Sequence, residues 1–137
     1  MKILLTGATG YIGKRLLPVL VEKGHHVICC VRDKNRFNPP RSLIDHITVI
    51  EIDLLDPESL KNIPKEIDAA YYLVHSMSSS NKYKILEKKS AINFRESLEK
   101  TRVKHLIFLS GIINETSLSD HLESRKNVEI ELSIGSY

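Results

Sequence analysis

The sequence predicts an α/β fold, a doubly wound parallel sheet of about five strands in the order 3-2-1-4-5. Three observations carry this expectation. Short apolar runs alternate with segments of helical periodicity along the whole chain. The first run ends in a turn with glycine at positions 7, 10 and 13, and a helical segment follows at once. Turn and cap residues, such as Gly24, Asn38-Pro39-Pro40 and Asp56-Pro57, punctuate the alternation.

Ile3-Leu4-Leu5 is a continuous apolar run, as expected of a parallel strand buried on both faces. A helix is expected from about Tyr11 to Lys23, with Ile12, Leu16, Val19, Leu20 and Lys23 on one side and Gly24 as its C-terminal cap. Pro18 lies inside it and removes one helix hydrogen bond. Val27 to Val31 gives a second strand and Ile47 to Ile52 a third, with a loop at Asn38-Pro39-Pro40-Arg41 between them. Asp56 as N-cap and Pro57 at the first helical position open a short helix. Ala69 to Val74 reads as the fourth strand, and Ser76 to Asn81 as a polar loop. A long helix spans about Lys82 to Lys100 with Ala91, Phe94 and Leu98 on one face. Val103 to Leu109 is the fifth strand, and a last helix runs from about Leu118 to Ser133.

Composition limits the classes of function. The 137 residues suffice for a single domain with a core, and 42% hydrophobic with 27% charged residues argues against long disorder. The net charge of +3 is small and its Lys and Arg are scattered among acids, unlike the basic face of a nucleic-acid binder. The one dense basic stretch, Lys82 to Lys89, is interrupted by Glu87 and reads as a solvated helix face. Cys29 and Cys30 are strand neighbours that point to opposite faces, so they are not expected to pair; a reducing, cytoplasmic setting follows. No spacing of Cys and His resembles a metal site, the first residues do not form a signal peptide, and no segment approaches membrane-spanning length.

Thr6-Gly7-Ala8-Thr9-Gly10-Tyr11-Ile12-Gly13 sits where the first strand turns into the first helix. Gly7 permits the tight turn, Gly10 lets the backbone approach a pyrophosphate, and Gly13 allows close packing of helix and strand. Free N–H groups and the helix dipole then attract phosphates. The alternative is a tight strand–helix turn without a ligand. The preceding strand, following helix and second strand supply the context that favours a Rossmann-type dinucleotide site, and with it the 3-2-1-4-5 order.

This G-x-x-G-x-x-G spacing resembles the short-chain dehydrogenase/reductase superfamily, especially its extended and atypical branches. Gly24-His25-His26-Val27, Val31-Arg32-Asp33, Asp53-Leu54 and Phe108-Leu109-Ser110-Gly111 fall where that superfamily would place them. Tyr72-Leu73-Val74-His75-Ser76-Met77 and His121-Leu122-Glu123-Ser124-Arg125 are similar to a bacterial atypical group of NAD(P)-binding, nucleoside-diphosphate-sugar epimerase-like proteins. The resemblance implies that Gly7, Thr9, Gly10, Tyr11, Ile12 and Gly13 hold the cofactor phosphates. It implies that Arg32 meets the 2′-phosphate of NADP, with a solvated charged turn as the alternative, while Asp33 keeps NAD open as the cofactor. Asp53 and Leu54 would border the adenine, although Asp53 equally suits a carboxylate that caps a turn. Val74 and His75 would line the cofactor beside the ribose, with an ordinary half-buried loop histidine as the alternative for His75. Asn93 would brace the backbone after the fourth strand.

Catalysis in this superfamily uses a Ser after the fifth strand and a Tyr-x-x-x-Lys on the next helix. Here His121 and Arg125 take the Tyr and Lys positions and Ser110 stands near the Ser position; no Tyr lies between Tyr83 and Tyr137. Histidine exchanges protons near neutral pH. The alternative is that His121 and Arg125 begin a surface helix. The resemblance also implies further strands and a substrate-binding part beyond Tyr137, so residues 1–137 read as an incomplete dinucleotide-binding domain. Two classes of function stay open: an oxidoreductase or sugar-nucleotide epimerase or dehydratase with an unknown small-molecule substrate, and a non-catalytic NADP-binding sensor or regulator. Oligomeric state stays open.

Overall fold

The computed structural model describes residues 1–75, 82–111 and 119–137. Five strands form one sheet: β1 (Lys2–Leu5), β2 (His26–Val31), β3 (Ile47–Glu51), β4 (Ala69–Tyr72) and β5 (His105–Phe108). Their order is β3-β2-β1-β4-β5 and every pairing is parallel, as the sequence predicts. Three α-helices cross over the sheet: α1 (Tyr11–Glu22), α2 (Lys82–Leu98) and α3 (Asp120–Ser133). The chain reverses its winding between β1 and β4, which opens a crevice at the carboxyl ends of those two strands.

The two sheet faces bury separate cores. Ile3, Leu5, Val27, Cys29 and Val31 pack against Leu17 and Leu20 of α1. Leu4, Ile28, Cys30, Ala70 and Tyr72 pack against Ala91, Phe94 and Leu98 of α2 and Val128 and Leu132 of α3. Cys29 and Cys30 thus enter opposite cores as free thiols, and burial pushes the Cys29 thiol up to about 12. The Phe94 ring lies 5.2 Å from Tyr72, which itself meets Phe108 edge-on at 6.0 Å.

Several expectations need correction. The buried stripe of α1 is Gly13, Leu17 and Leu20, whereas Ile12 and Val19 are exposed. The cause is Gly13: a Cβ there would stand 2.1 Å from the Gly7 carbonyl oxygen, so Gly13 must face the turn and its position sets the helix phase. The helix runs through the exposed Pro18 to Glu22, is capped at Lys23 and is followed by Gly24, whose φ is +79°. The Gly24 N–H bonds to the Val21 carbonyl and the His25 N–H to the Leu20 carbonyl, a Schellman closure.

Asp56-Pro57 does not open an α-helix. The Asp56 carboxylate accepts from the Glu58 N–H, and a single 3-10 turn follows at Ser59–Asn62. Further 3-10 turns at Lys34–Arg36 and Arg41–His46 flank the proline loop. β5 is shorter than its apolar run because its partner β4 offers only Ala69 to Tyr72 for pairing. The helix expected from Leu118 starts at Asp120, capped by the Ser119 hydroxyl; Leu118 and the loop expected at Ser76 to Asn81 lie outside the described residues. The basic stretch on α2 is not simply solvated. Lys84 pairs with Asp120 at 2.6 Å and Glu123 at 2.8 Å, and Lys88 pairs with Glu131 at 3.2 Å, tying α2 to α3.

Candidate functional site

The glycine turn joins β1 to α1 at the mouth of the crevice. Gly7 has φ +68°, a region open to glycine, and a Cβ there would lie 2.8 Å from the Leu73 carbonyl oxygen beyond β4. The turn closes with a Gly10 N–H to Gly7 carbonyl bond of 2.9 Å. A Cβ on Gly10 would have one neighbour within 4 Å, the Gly7 oxygen at 3.2 Å, so a side chain there would project into the open space before the helix. No side chain caps α1 and no acidic residue stands in its first turn. Its leading N–H groups therefore face outward with the positive end of the helix dipole, a geometry that fits a pyrophosphate. Thr9, Gly10, Tyr11 and Ile12 are exposed around this opening. The Arg15 guanidinium stacks 3.6 Å over the Tyr11 ring.

Thr6, which sequence reading left without a role, clamps this mouth. Fully buried, its hydroxyl donates to the Tyr71 carbonyl at 2.9 Å and accepts from the Leu73 N–H at 3.1 Å. It joins the carboxyl ends of β1 and β4 across the switch point. The signal was a hydroxyl residue between an apolar run and the first glycine.

The expected adenosine side lies beyond β2 and β3. Arg32 follows β2, is exposed, and makes no ion pair among the described residues. The Asp33 carboxylate is turned onto the Asn35 N–H at 2.9 Å. Asp53 accepts from the Leu55 N–H at 2.9 Å, so it does cap a turn, while remaining exposed; Leu54 is buried. Asn93 corrects an expectation. Its amide donates to the Leu54 carbonyl at 2.8 Å, so it braces the segment after β3; the backbone from residue 76 to 81, after the fourth strand, lies outside the described residues.

The remaining expected residues gather at the other end of the crevice. Val74 and His75 are half-buried beyond β4. The His75 ring meets the His121 ring of α3 edge-on, with centroids 4.7 Å apart and planes at 74°. Arg125 donates to the Leu109 carbonyl and lies 4.7 Å from the centre of the Phe108 ring. Ser110 donates to Glu129 at 2.5 Å. Sequence reading missed the group at the centre of this corner. Glu87 of α2 is buried, accepts from the buried Ser124 hydroxyl, and brings Oε1 to 3.2 Å from His75 Nδ1, a contact that is an ion pair only when His75 carries a proton. Burial lowers the pKa of His75, opposed by the Glu87 carboxylate and reinforced by Arg125 and His121. Burial and Glu87 together push the Tyr72 phenol up, so Tyr72 stays a neutral core residue. Among the described residues no cluster of His, Cys, Asp and Glu is arranged to hold a metal ion.

Elsewhere, a shallow concavity of about 700 Å³ runs over Ile3, Tyr71, His105, Ile107 and Tyr137, and none of the expected cofactor residues lines it.

The family model described as NAD(P)H-binding matches residues 7–132. Eugenol synthase 1 of Petunia hybrida is 32% identical over 91 residues, covering 62% of this chain and 30% of that protein. An uncharacterized protein of Saccharomyces cerevisiae is 27% identical over 116 residues, covering 83% and 39%. The chain thus spans 30–39% of the length of these two relatives. Among solved structures, a nucleoside-diphosphate-sugar epimerase of Staphylococcus aureus superposes with a TM-score of 0.79 at 20% identity, covering 98% of this chain and 47% of that one. The triphenylmethane reductase of Citrobacter sp. complexed with NADP(H) gives 0.78 at 20% identity, covering 96% and 45%. No described helix is long and apolar enough to cross a membrane. With its parallel 3-2-1-4-5 sheet, its glycine turn and a match over nearly its full length, this chain belongs to the NAD(P)H-binding family of Rossmann-fold proteins.

Proposed function

We propose that the chain is the dinucleotide-binding portion of an NADP(H)-preferring oxidoreductase or sugar-nucleotide epimerase or dehydratase, working in the reducing cytoplasm on a small-molecule substrate. The observation that carries this reading is the uncapped start of α1 behind the Gly7–Gly10–Gly13 turn, with Arg32 exposed beyond the adjacent strand. In this reading Gly7, Thr9, Gly10, Tyr11, Ile12 and Gly13 hold the pyrophosphate through backbone N–H groups. Arg32 pairs with the 2′-phosphate, Asp53 and Leu54 border the adenine, and Val74 and His75 face the second ribose. The bound nicotinamide supplies hydride chemistry. Arg125 and Ser110 shape the site around His121, which exchanges the proton. The buried free thiols suit a reducing compartment. The Citrobacter reductase bound to NADP(H) supports the choice of cofactor class.

The test is calorimetry with NADP and NAD on the wild-type chain and on Arg32→Ala. A charge-assisted phosphate contact is worth about 1.5–3 kcal/mol, so Arg32→Ala should reduce the NADP preference roughly tenfold to a hundredfold. Equal affinities for the two dinucleotides in the wild type refute the preference.

A non-catalytic sensor is the second reading. It is favoured by the engagement of Arg125 with Leu109 and Phe108, and of Ser110 with Glu129, which occupies two of the three expected catalytic side chains. Dinucleotide binding without any nicotinamide absorbance change across carbonyl and sugar-nucleotide substrates would select it.

A further inference from the structure

The corner beyond β4 holds more than its two histidines. Glu87, Ser124, His75 and His121 come from three separate elements and converge there. A carboxylate that is 7% exposed carries a large desolvation cost unless partners hold it, and here Ser124, itself 1% exposed, donates to it while His75 lies at 3.2 Å. His75 in turn stacks on His121, which is exposed. A buried anion, a half-buried imidazole and an exposed imidazole thus form a line from core to surface. The line starts beside the crevice that begins at Gly7: Leu73, two residues before His75, is the residue packed against Gly7. Dinucleotides lie across such a switch point, with the half opposite the adenosine over β4 and β5.

We propose that Glu87, His75 and His121 form a proton-exchange site at the nicotinamide end of the crevice, with His121 as the group that meets the substrate and Glu87 and Ser124 as positioning residues. This rests on the dinucleotide reading given above. The site suits reduction of a substrate carbonyl. With a reduced nicotinamide bound as hydride donor to the carbonyl carbon, the C=O π bond would break and the oxygen would take its proton from protonated His121. One C–H and one O–H bond form, His121 is left neutral, and water restores its proton. The charged and titratable neighbours are Tyr72 from β4, Glu87 from α2 and Arg125 from α3, with the Lys84–Asp120–Glu123 ion pairs beside the first turn of α3. Glu87 favours a proton on His75; Arg125 and a charged His121 oppose it. The two rings therefore compete for charge, and a proton taken by one is more readily released by the other.

The imidazole resonances of His75 and His121 can be followed by NMR against pH in the wild-type chain, in His121→Asn and in Glu87→Gln. In the wild type the His75 curve should show two steps. His121→Asn, at an exposed helix position, should turn the His75 curve into one step with its midpoint at higher pH. Glu87→Gln keeps the shape of the side chain and should lower the His75 midpoint by about one pH unit or more. A His75 curve unchanged in His121→Asn, or unchanged in a folded Glu87→Gln, overturns the proposal; if Glu87→Gln does not fold, His121→Asn decides alone. Calorimetry on the same samples places the pair. The oxidised nicotinamide ring is cationic and the reduced ring neutral, so the ratio of NADP⁺ to NADPH affinity should fall about fivefold between about pH 8 and pH 5 in the wild type, and less in His121→Asn. A flat ratio with coupled histidines removes the pair from the nicotinamide end and overturns the proposal. Loss of binding for both dinucleotides at every pH refutes the dinucleotide reading instead, while the histidine coupling stands or falls by NMR.

Discussion

At the glycine turn, residues 7 to 13 are shaped by the side chains that are missing at Gly7, Gly10 and Gly13. At the opposite end of the crevice, His75, Glu87, Ser124 and His121 form a cluster of side chains delivered by the segment after β4, by α2 and by α3. The first region is local in sequence and fixed by sterics, with three glycines each facing a carbonyl oxygen within about one atomic contact. The second depends on α2 and α3 packing at the right depth. The difference teaches that one end of a crevice can be fixed by backbone sterics while the other remains adjustable by substitution, because the two ends draw on different layers of the structure.

The contrast is most exposed to failure at Gly10. A valine there meets the Gly7 oxygen at 3.2 Å and otherwise points into the phosphate space, and the residue's extended φ of −79° and ψ of 173° suits a β-branched side chain. Gly10→Val should lose dinucleotide affinity by at least about a hundredfold, or roughly 2.7 kcal/mol, with thermal stability nearly unchanged. Calorimetry showing wild-type binding would end the phosphate-turn reading.

Gly13 should behave in the reverse way. Its Cβ would overlap the Gly7 oxygen and Ala8 backbone, so Gly13→Ala should cost about 1–3 kcal/mol of folding stability from overpacking. Chemical denaturation measures it, and a stability equal to wild type would mean that the turn yields easily.

Ser124→Ala probes the side-chain end. It removes the hydroxyl that donates to buried Glu87 and should destabilise the chain by about 1.5 kcal/mol. Affinity for the adenosine fragment of the cofactor should stay the same, since the glycine turn is untouched. A loss of that affinity in Ser124→Ala would show that the two ends are not independent.

The smallest effect is acidic. His75 has a folded pKa below its ordinary value of 6.5, chiefly through burial. The unfolded chain therefore binds that proton first as pH falls, and stability declines from about pH 6.5 downward and recovers above it. His75→Gln should flatten this part of the stability profile, and an unchanged slope would assign the acid sensitivity elsewhere.

These two regions also differ in how much of them the sequence disclosed. Strand order, the glycine turn, the Gly24 closure and the Ala91–Phe94–Leu98 stripe follow from patterns within a few residues of one another. For the rotation of α1, apolar periodicity favours Ile12 and Val19, and the close approach of Gly13 to the turn outweighs it. Glu87 was read as a break in a basic run. Yet it stands four residues before Ala91 and seven before Phe94, on the stripe that α2 buries, and a carboxylate on an apolar stripe marks a buried charge in search of partners. Ser124, Val128 and Leu132 repeat at the same spacing on α3. What no pattern could supply is that these two stripes meet, with His75 between them, since that rests on contacts between distant segments.

The adjacent thiols of β2 give the molecule two built-in clocks. Each is shielded by a different layer, Cys29 by α1 and Cys30 by α2 and α3. An alkylating reagent needs the thiolate, which the folded state withholds from both, so labelling waits on an opening event. If the sheet loses its two helical layers together, both cysteines acquire label at one rate, and mass spectrometry shows molecules with none or two. If one layer peels away first, singly labelled molecules accumulate, and the modified position names the layer that left. Two neighbouring residues in a single strand would thereby resolve whether this sandwich breathes as one unit or as two.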